Sequence, residues 1–250
     1  MLLKIELSRM LSEIKAYLLD NAVGIVDNIL ICIGLLVGVG SDFFPGRSQG
    51  YALIGMMLWR CTIICLQTSC GIIQKELRLG TLEQLMLSSY SFLKLLIIRL
   101  EAKMLIEIWK LLFAMLVIAA LFNIKFYNEV NFILLITAFL VSVAGAFGMG
   151  FIVAGIALIY KKASALVNSI SYFVLFFTGV FIPLELLPDA FSLIAKSLPF
   201  IWAINTIQSN QFNYCFISLV ATSIFWLVLG CIIFNFCNSK VLISGTAGKY

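Results

Sequence analysis

Arg60 and Gln67 stand two helical turns apart, on roughly one side of an apolar run that covers about residues 51–73. A charge at the centre of a membrane helix costs about 2.5 to 3.5 kcal/mol on insertion scales, so such a pair needs a reason. It can line an internal polar path or a seam between subunits, or it can turn inward and be satisfied by a neighbouring carbonyl. Asp27 lies in the apolar run before it, and Glu107 and Lys110, three apart, have the spacing of a helical ion pair. Beyond these the inventory for bond-making chemistry is short. The chain has no histidine, which excludes H-E-x-x-H metalloproteases, histidine-dependent desaturases and Ser-His hydrolases. Cys32, Cys61, Cys65, Cys70, Cys215, Cys231 and Cys237 lie in or beside apolar segments with no C-x-x-C pair, and read as small apolar packers. The terminal "SGTAGKY" resembles the end of a phosphate-binding loop, but Tyr250 follows Lys249 where that loop needs Ser or Thr. No catalytic residue, bound cofactor or metal site is expected in this chain.

The elements that carry these groups follow from composition. Of 250 residues, 62% are hydrophobic and 12% charged, and the mean hydropathy is +1.10, which places the chain in a bilayer. The fold expected is an all-α integral membrane protein, one domain over 1–250, with six transmembrane helices at about 22–40, 51–73, 104–122, 132–160, 165–182 and 213–236. An even number puts both termini on one side. Lys4, Arg9, Lys15, Lys75, Arg78, Lys94, Arg99, Lys103, Lys161, Lys162, Lys240 and Lys249 then share a face, whereas the other receives Arg47, Lys125 and Lys196. By the positive-inside rule both termini are cytoplasmic, in the cytoplasmic membrane. The net charge of +5 is scattered through short loops and forms no basic stripe, so nucleic acid is not an expected partner.

Residues 1–20 do not read as a signal peptide, because Glu6 and Glu13 interrupt them. Leu3, Leu7, Met10, Leu11, Ile14 and Leu18 recur at three- and four-residue steps, which suggests an amphipathic helix on the membrane surface. In the fourth span Ala146, Gly150 and Ala154 form a small-residue strip that lets another helix approach. Residues 183–208 hold Pro183, Pro188 and Pro199, too interrupted for a span and too apolar for an ordinary loop. They read as an outer re-entrant pair of short helices, or as a surface helix resting on the bundle.

Between the second and third spans, in a cytoplasmic loop over 74–103, stands "KELRLGTLEQLMLSS", Lys75 to Ser89. Gly80 is a natural helix stop, and Thr81 with Gln84 three residues on has the spacing of a capping box. A new short helix is expected from Leu82 to about Leu87, with Leu82, Leu85 and Met86 on one face and Glu83 and Gln84 flanking it.

At these residues the sequence resembles the membrane subunits of ABC-2 type ABC exporters. Glu76, Gly80, Thr81, Leu82, Glu83, Gln84, Leu85 and Ser88 match the family's E-x-x-x-G-T-L-E-Q-L-x-x-S pattern. Thr178, Gly179, Pro183, Leu187 and Pro188 resemble its "SGxxxPxxxLP" stretch. Ser89 stands where proline often follows, and Thr178 where serine is common. The resemblance implies that the short helix, with Met86 completing its apolar face, is a coupling helix seated on a separate ABC ATPase subunit. That partner would carry ATP and Mg, and a second permease copy, identical or related, would complete the transporter. The implied function is ATP-driven export of a drug, an antimicrobial peptide or another amphipathic substrate. A secondary, ion-coupled transporter would be expected to show more buried carboxylates, and a regulatory membrane subunit that moves nothing is the other alternative.

Overall fold

The computed structural model describes residues 2–39, 49–88, 90–124, 131–161, 163–177 and 188–244, and within them ten helices and no strand. Helix α1 is Leu2–Ala16 and α2 Leu18–Val39; α3 is Gln49–Leu79, α4 Leu82–Met86 and α5 Phe92–Leu121. Then follow α6 Phe132–Tyr160, α7 Ser164–Phe177, α8 Asp189–Ser197, α9 Pro199–Ser209 and α10 Tyr214–Ser244. Five of these contain stretches long and apolar enough to cross a membrane: Leu18–Val37, Gly50–Leu79, Phe92–Leu121, Phe132–Tyr160 and Tyr214–Ile243. The all-α membrane class is thus established.

A sixth span has two candidates. Of the segment 165–182 the structure describes α7, whose 14 residues rise about 21 Å, and 178–182 lie outside the described residues. The other candidate is the pair α8 and α9, bent by 85° at Leu198. Pro188 caps α8 from outside, and Pro199 opens α9 as well as ending α8, as its missing N–H and fixed φ allow. The corner leaves α8 with unpaired terminal carbonyls, and two indoles take them: Trp202 Nε1 donates to the Lys196 carbonyl at 2.7 Å and Trp226 Nε1 to that of Ser197 at 2.8 Å. Pro183, Thr178, Gly179 and Leu187 lie outside the described residues, as do Arg47, Lys125, Lys162 and Ser89.

In the segment 74–103, α3 runs on to Leu79 and stops at Gly80 as that glycine suggests, whereas α5 begins at Phe92, earlier than its apolar stretch. Hydropathy marks where a helix enters polar surroundings, and a helix need not stop there.

Helix α6 is the centre, packed along α10 on one side and α3 on the other. Two sets of glycines make this possible. Gly150, in the anticipated strip with Ala146 and Ala154, faces α3, where an added Cβ would stand 2.6 Å from Ser69 Oγ. The second set was not anticipated: Gly145, Gly148 and Gly155 face α10, and a Cβ on Gly148 would land on the Trp226 carbonyl. Gly230 of α10 answers it, its own Cβ position falling on the Gly148 carbonyl. Backbones in contact gain dispersion over their whole length, the main source of helix association where no water is present to be expelled. Two buried hydroxyls on α3 are satisfied along their own helix, as Thr62 Oγ1 donates to the Leu58 carbonyl at 2.9 Å and Ser69 Oγ to that of Cys65 at 2.7 Å.

Candidate functional site

The end of α3 and the start of α4 are one hydrogen-bonded turn. Gly80 takes a left-handed φ of +68°, its N–H donates to the Leu77 carbonyl at 3.2 Å, and the Thr81 N–H donates to that of Glu76 at 3.1 Å. This 5→2, 6→1 pattern closes the last turn and needs glycine at the left-handed position. Gly80→Ala is expected to cost about 1 to 2 kcal/mol by that strain, read as a lower melting temperature of the purified chain; an unchanged melting temperature would refute it.

The capping box is not formed. Thr81 makes no side-chain bond to the α4 N–H groups, and its hydroxyl instead donates backward to Glu76 Oε2. In a capping box that hydroxyl would accept from the Gln84 N–H and the Gln84 side chain from the Thr81 N–H; here the hydroxyl donates to a carboxylate, a stronger charge-assisted bond, the Thr81 N–H is taken by the Glu76 carbonyl, and Gln84 is exposed. Glu76 is thereby the hub. Its Oε1 accepts from Arg99 Nη1 of α5 at 2.6 Å, Arg99 Nε reaches Glu6 Oε1 of α1 at 3.3 Å, and Glu6 Oε2 pairs with Arg9 at 2.9 Å. The side chains of Arg99 and Glu76 are only 14% and 10% exposed, so these ions are partly desolvated. A second, exposed tie joins Lys75 of α3 to Glu13 of α1 at 3.5 Å. Three helices, α1, α3 and α5, therefore meet through one chain of charges, and Thr81 at the head of α4 hydrogen-bonds to it. Near the other end of the molecule's sequence, Phe234 of α10 packs on Phe92 of α5 with ring centroids 5.5 Å apart, so the far part of α10 lies on this same side.

Within α4, Leu82, Leu85 and Met86 share one face as the spacing suggests, and that face is turned toward the bundle. Leu82 is 2% exposed and belongs to the core, and the half-buried Leu85 and Met86 pack against it. The outward surface consists of Leu79, 63% exposed, and Leu87, 83% exposed, with exposed Glu83 and Gln84 between them. Glu6 and Arg99 were missed as members of the site. The signal was present: Glu6 falls on the inward side of α1 with Leu3, Leu7 and Met10, and Arg99 interrupts the apolar run from Leu95 to Leu100, so each needed an opposite charge.

The intramembrane groups form two further clusters. Arg60 donates from Nε to Asn28 Oδ1 at 2.7 Å and also from Nη2 to the same oxygen, and its Nη2 stands 3.9 Å from Asp27 Oδ2. The side-chain amide oxygen of Asn28 on α2 is what meets the charge among the described residues. Gln67 is exposed on α3, two turns away. Glu107 and Lys110 pair as their spacing suggests, at 2.9 Å, and Lys103 and Asn21 complete that group at 3.0 and 2.8 Å. Pro188 and Pro199 frame α8 and α9 on their own, away from both clusters in the chain.

A search of curated proteins finds no match to the chain. Residues 9–212 match the family model described as ABC-2 type transporter. That span takes in α1 from Arg9, the Glu76 turn, α4 and the bent pair of α8 and α9. With a multi-pass helical fold and most of its length matched, the chain belongs to the ABC-2 type transporter family, as a membrane-spanning permease.

Proposed function

We infer that this permease works in the cytoplasmic membrane as one of two membrane subunits, identical or related, of an ATP-driven exporter. Its termini are cytoplasmic, and a separate ABC ATPase binds and hydrolyses MgATP. The observation that carries the reading is the Glu76 hub. A short helix that is to transmit motion must be rigidly joined to the helices it moves, and here the closed turn joins α4 to the end of α3, which Arg99 of α5 and, through it, Glu6 of α1 hold by Glu76. Closure of two ATPase subunits on ATP shifts the permease only if they hold one of its conformations more tightly than the other.

The ATPase contacts are Glu76, Gly80, Thr81, Leu82, Glu83, Gln84, Leu85 and Met86 in the family pattern. In this chain they divide by exposure. Glu83, Gln84, Leu79 and Leu87 are available to the partner, whereas Leu82, Leu85 and Met86 hold α4 in place. Arg60 and Gln67 border the translocation path or the seam between permeases. The substrate class that fits an apolar bundle with few intramembrane charges is a drug, an antimicrobial peptide or another amphipathic molecule.

Glu83→Lys and Leu87→Asp are expected to reduce co-purification of the ATPase at least tenfold while the permease still inserts. Transport in proteoliposomes should follow ATP hydrolysis and persist with an uncoupler. Transport that collapses with the proton gradient would make this a secondary transporter, and ATPase activity without solute movement would make it a regulatory subunit.

A further inference from the structure

We propose that Asp27, backed by Arg60 and Asn28, is a mid-membrane binding point for the cationic group of an amphipathic substrate, a site that rests on the exporter reading above. Asp27 is the tenth residue of the twenty-residue span Leu18–Val37, and Arg60 is the eleventh of the span that starts at Gly50. From the ends Val37 and Gly50 both therefore lie about 15 Å along their helices, which puts the cluster near the bilayer midplane. At that depth a carboxylate is expected to be hidden or paired, since water is not there to solvate it. Asp27 is not hidden and only loosely paired: 61% of its side chain is exposed, and its one ionic contact among the described residues is the long 3.9 Å approach of Arg60. Among the described residues neither of its oxygens accepts a hydrogen bond.

The arrangement around it is selective for charge sign. Arg60 is only 15% exposed, and its Nε and Nη2 are both held by Asn28 Oδ1, itself on the next residue after Asp27. The guanidinium is thus held by Asn28 and largely covered while the carboxylate beside it is exposed, so a ligand meets the anion first. Arg60 compensates the charge while the site is empty, and an arriving cation completes it. The open side also has room and an apolar lining. A Cβ on Gly24 or on Gly34 would meet nothing within 4 Å, and Val23, Val26 and Leu30 are all exposed beside them on α2. A compact ammonium or phosphonium on an apolar body matches a lone carboxylate in this setting, whereas an anion is repelled at the point of contact. Asp20, seven residues earlier and also exposed, lies on the same side of α2 toward the end that carries α1.

The test uses the full chain in lipid nanodiscs with two probes of equal size and opposite charge, tetraphenylphosphonium and tetraphenylborate. The native chain should bind the phosphonium saturably, Asp27→Asn should bind it at least tenfold more weakly, and Asp27→Glu within about threefold of native. The borate should show no saturable binding. On the unmodified chain, a carbodiimide that labels accessible membrane carboxylates should modify Asp27, and the phosphonium alone should protect it. Equal phosphonium binding by the native and Asp27→Asn chains, or protection by both probes alike, would overturn the site. An Asp27→Asn chain that keeps binding but separates from a second copy would assign Asp27 to a subunit seam instead. No ATPase enters these measurements, so a failure of the exporter reading, seen as lost co-purification or ATP-independent transport, leaves their outcome distinct.

Discussion

Gly148→Val is expected to leave little or no folded permease that can be extracted from the membrane. The reason is backbone contact between α6 and α10. A Cβ at 148 coincides with the Trp226 carbonyl and stands against Leu227 N at 2.5 Å, and the reciprocal position on Gly230 coincides with the Gly148 carbonyl. A flexible side chain in the way would swing aside, but here both obstacles are main chain, so the helices must separate over their length. Overpacking in a core costs typically about 1 to 3 kcal/mol, and separation forfeits the close dispersion contacts that hold helices together in lipid as well. A total above about 3 kcal/mol corresponds to a fall of about 6 to 12 °C or more in melting temperature for a chain of this size. Gly71→Ala is the matched control. Its Cβ meets nothing within 4 Å, and alanine in a helix is worth about 0.5 to 1 kcal/mol over glycine. Melting followed by size-exclusion chromatography in detergent should therefore move in opposite directions for the two variants. A Gly148→Val chain that elutes and melts like the native one would show that the helices do not pack this closely.

That contact also marks where sequence reading stopped. Small residues spaced by four, Ala146, Gly150 and Ala154, announce one packing face, and the structure puts Gly150 against Ser69 as such a strip requires. Gly145, Gly148 and Gly155 are spaced by three and seven and face a helix more than 60 residues away in the chain; only the fold supplies Gly230 opposite them. The spans were legible because apolar length is a local property. The start of α5 at Phe92 was not, because a helix leaving the bilayer keeps its hydrogen bonds and only its surroundings change. Gly80 was read correctly from one residue type, since a positive φ is a local demand. Thr81 was not: the capping box was the local solution, and the hydroxyl turned to Glu76, whose charge is fixed by Arg99 from another helix. The shared face of Leu82, Leu85 and Met86 was legible from their spacing, but not that it turns inward, which depends on the rest of the bundle. The outward surface then falls to Leu79 and Leu87, residues outside the apolar triplet that periodicity singled out.

Arg99→Met is expected to destabilise the chain by about 3 to 5 kcal/mol, the range for removing one partner of a partly buried ion pair. It leaves Glu76 and Glu6, with side chains 10% and 18% exposed, facing each other without the guanidinium between them. Glu76→Gln is milder, at about 1 to 3 kcal/mol, because the amide oxygen still accepts from Thr81 and Arg99 still has Glu6. The two substitutions together should cost less than their sum by at least about 1 kcal/mol, since once Glu76 is neutral the loss of Arg99 strands one carboxylate fewer. Additive losses in chemical or thermal unfolding would show that the 2.6 Å contact carries no coupling. Salt separates this chain of charges from its neighbour: the Lys75–Glu13 pair, 55% and 49% exposed, should contribute nothing measurable in 0.5 M salt, where screening reaches within about 4 to 5 Å. The Glu76–Arg99 coupling should survive there, because solvent ions have little access to it. If α4 transmits ATPase closure through this hub, Arg99→Met chains rescued by low temperature should still bind the ATPase through Glu83 and Leu87 yet transport at a small fraction of the native rate. Full transport per ATP hydrolysed in that variant would detach coupling from the Glu76 network and leave it with the turn at Gly80 alone.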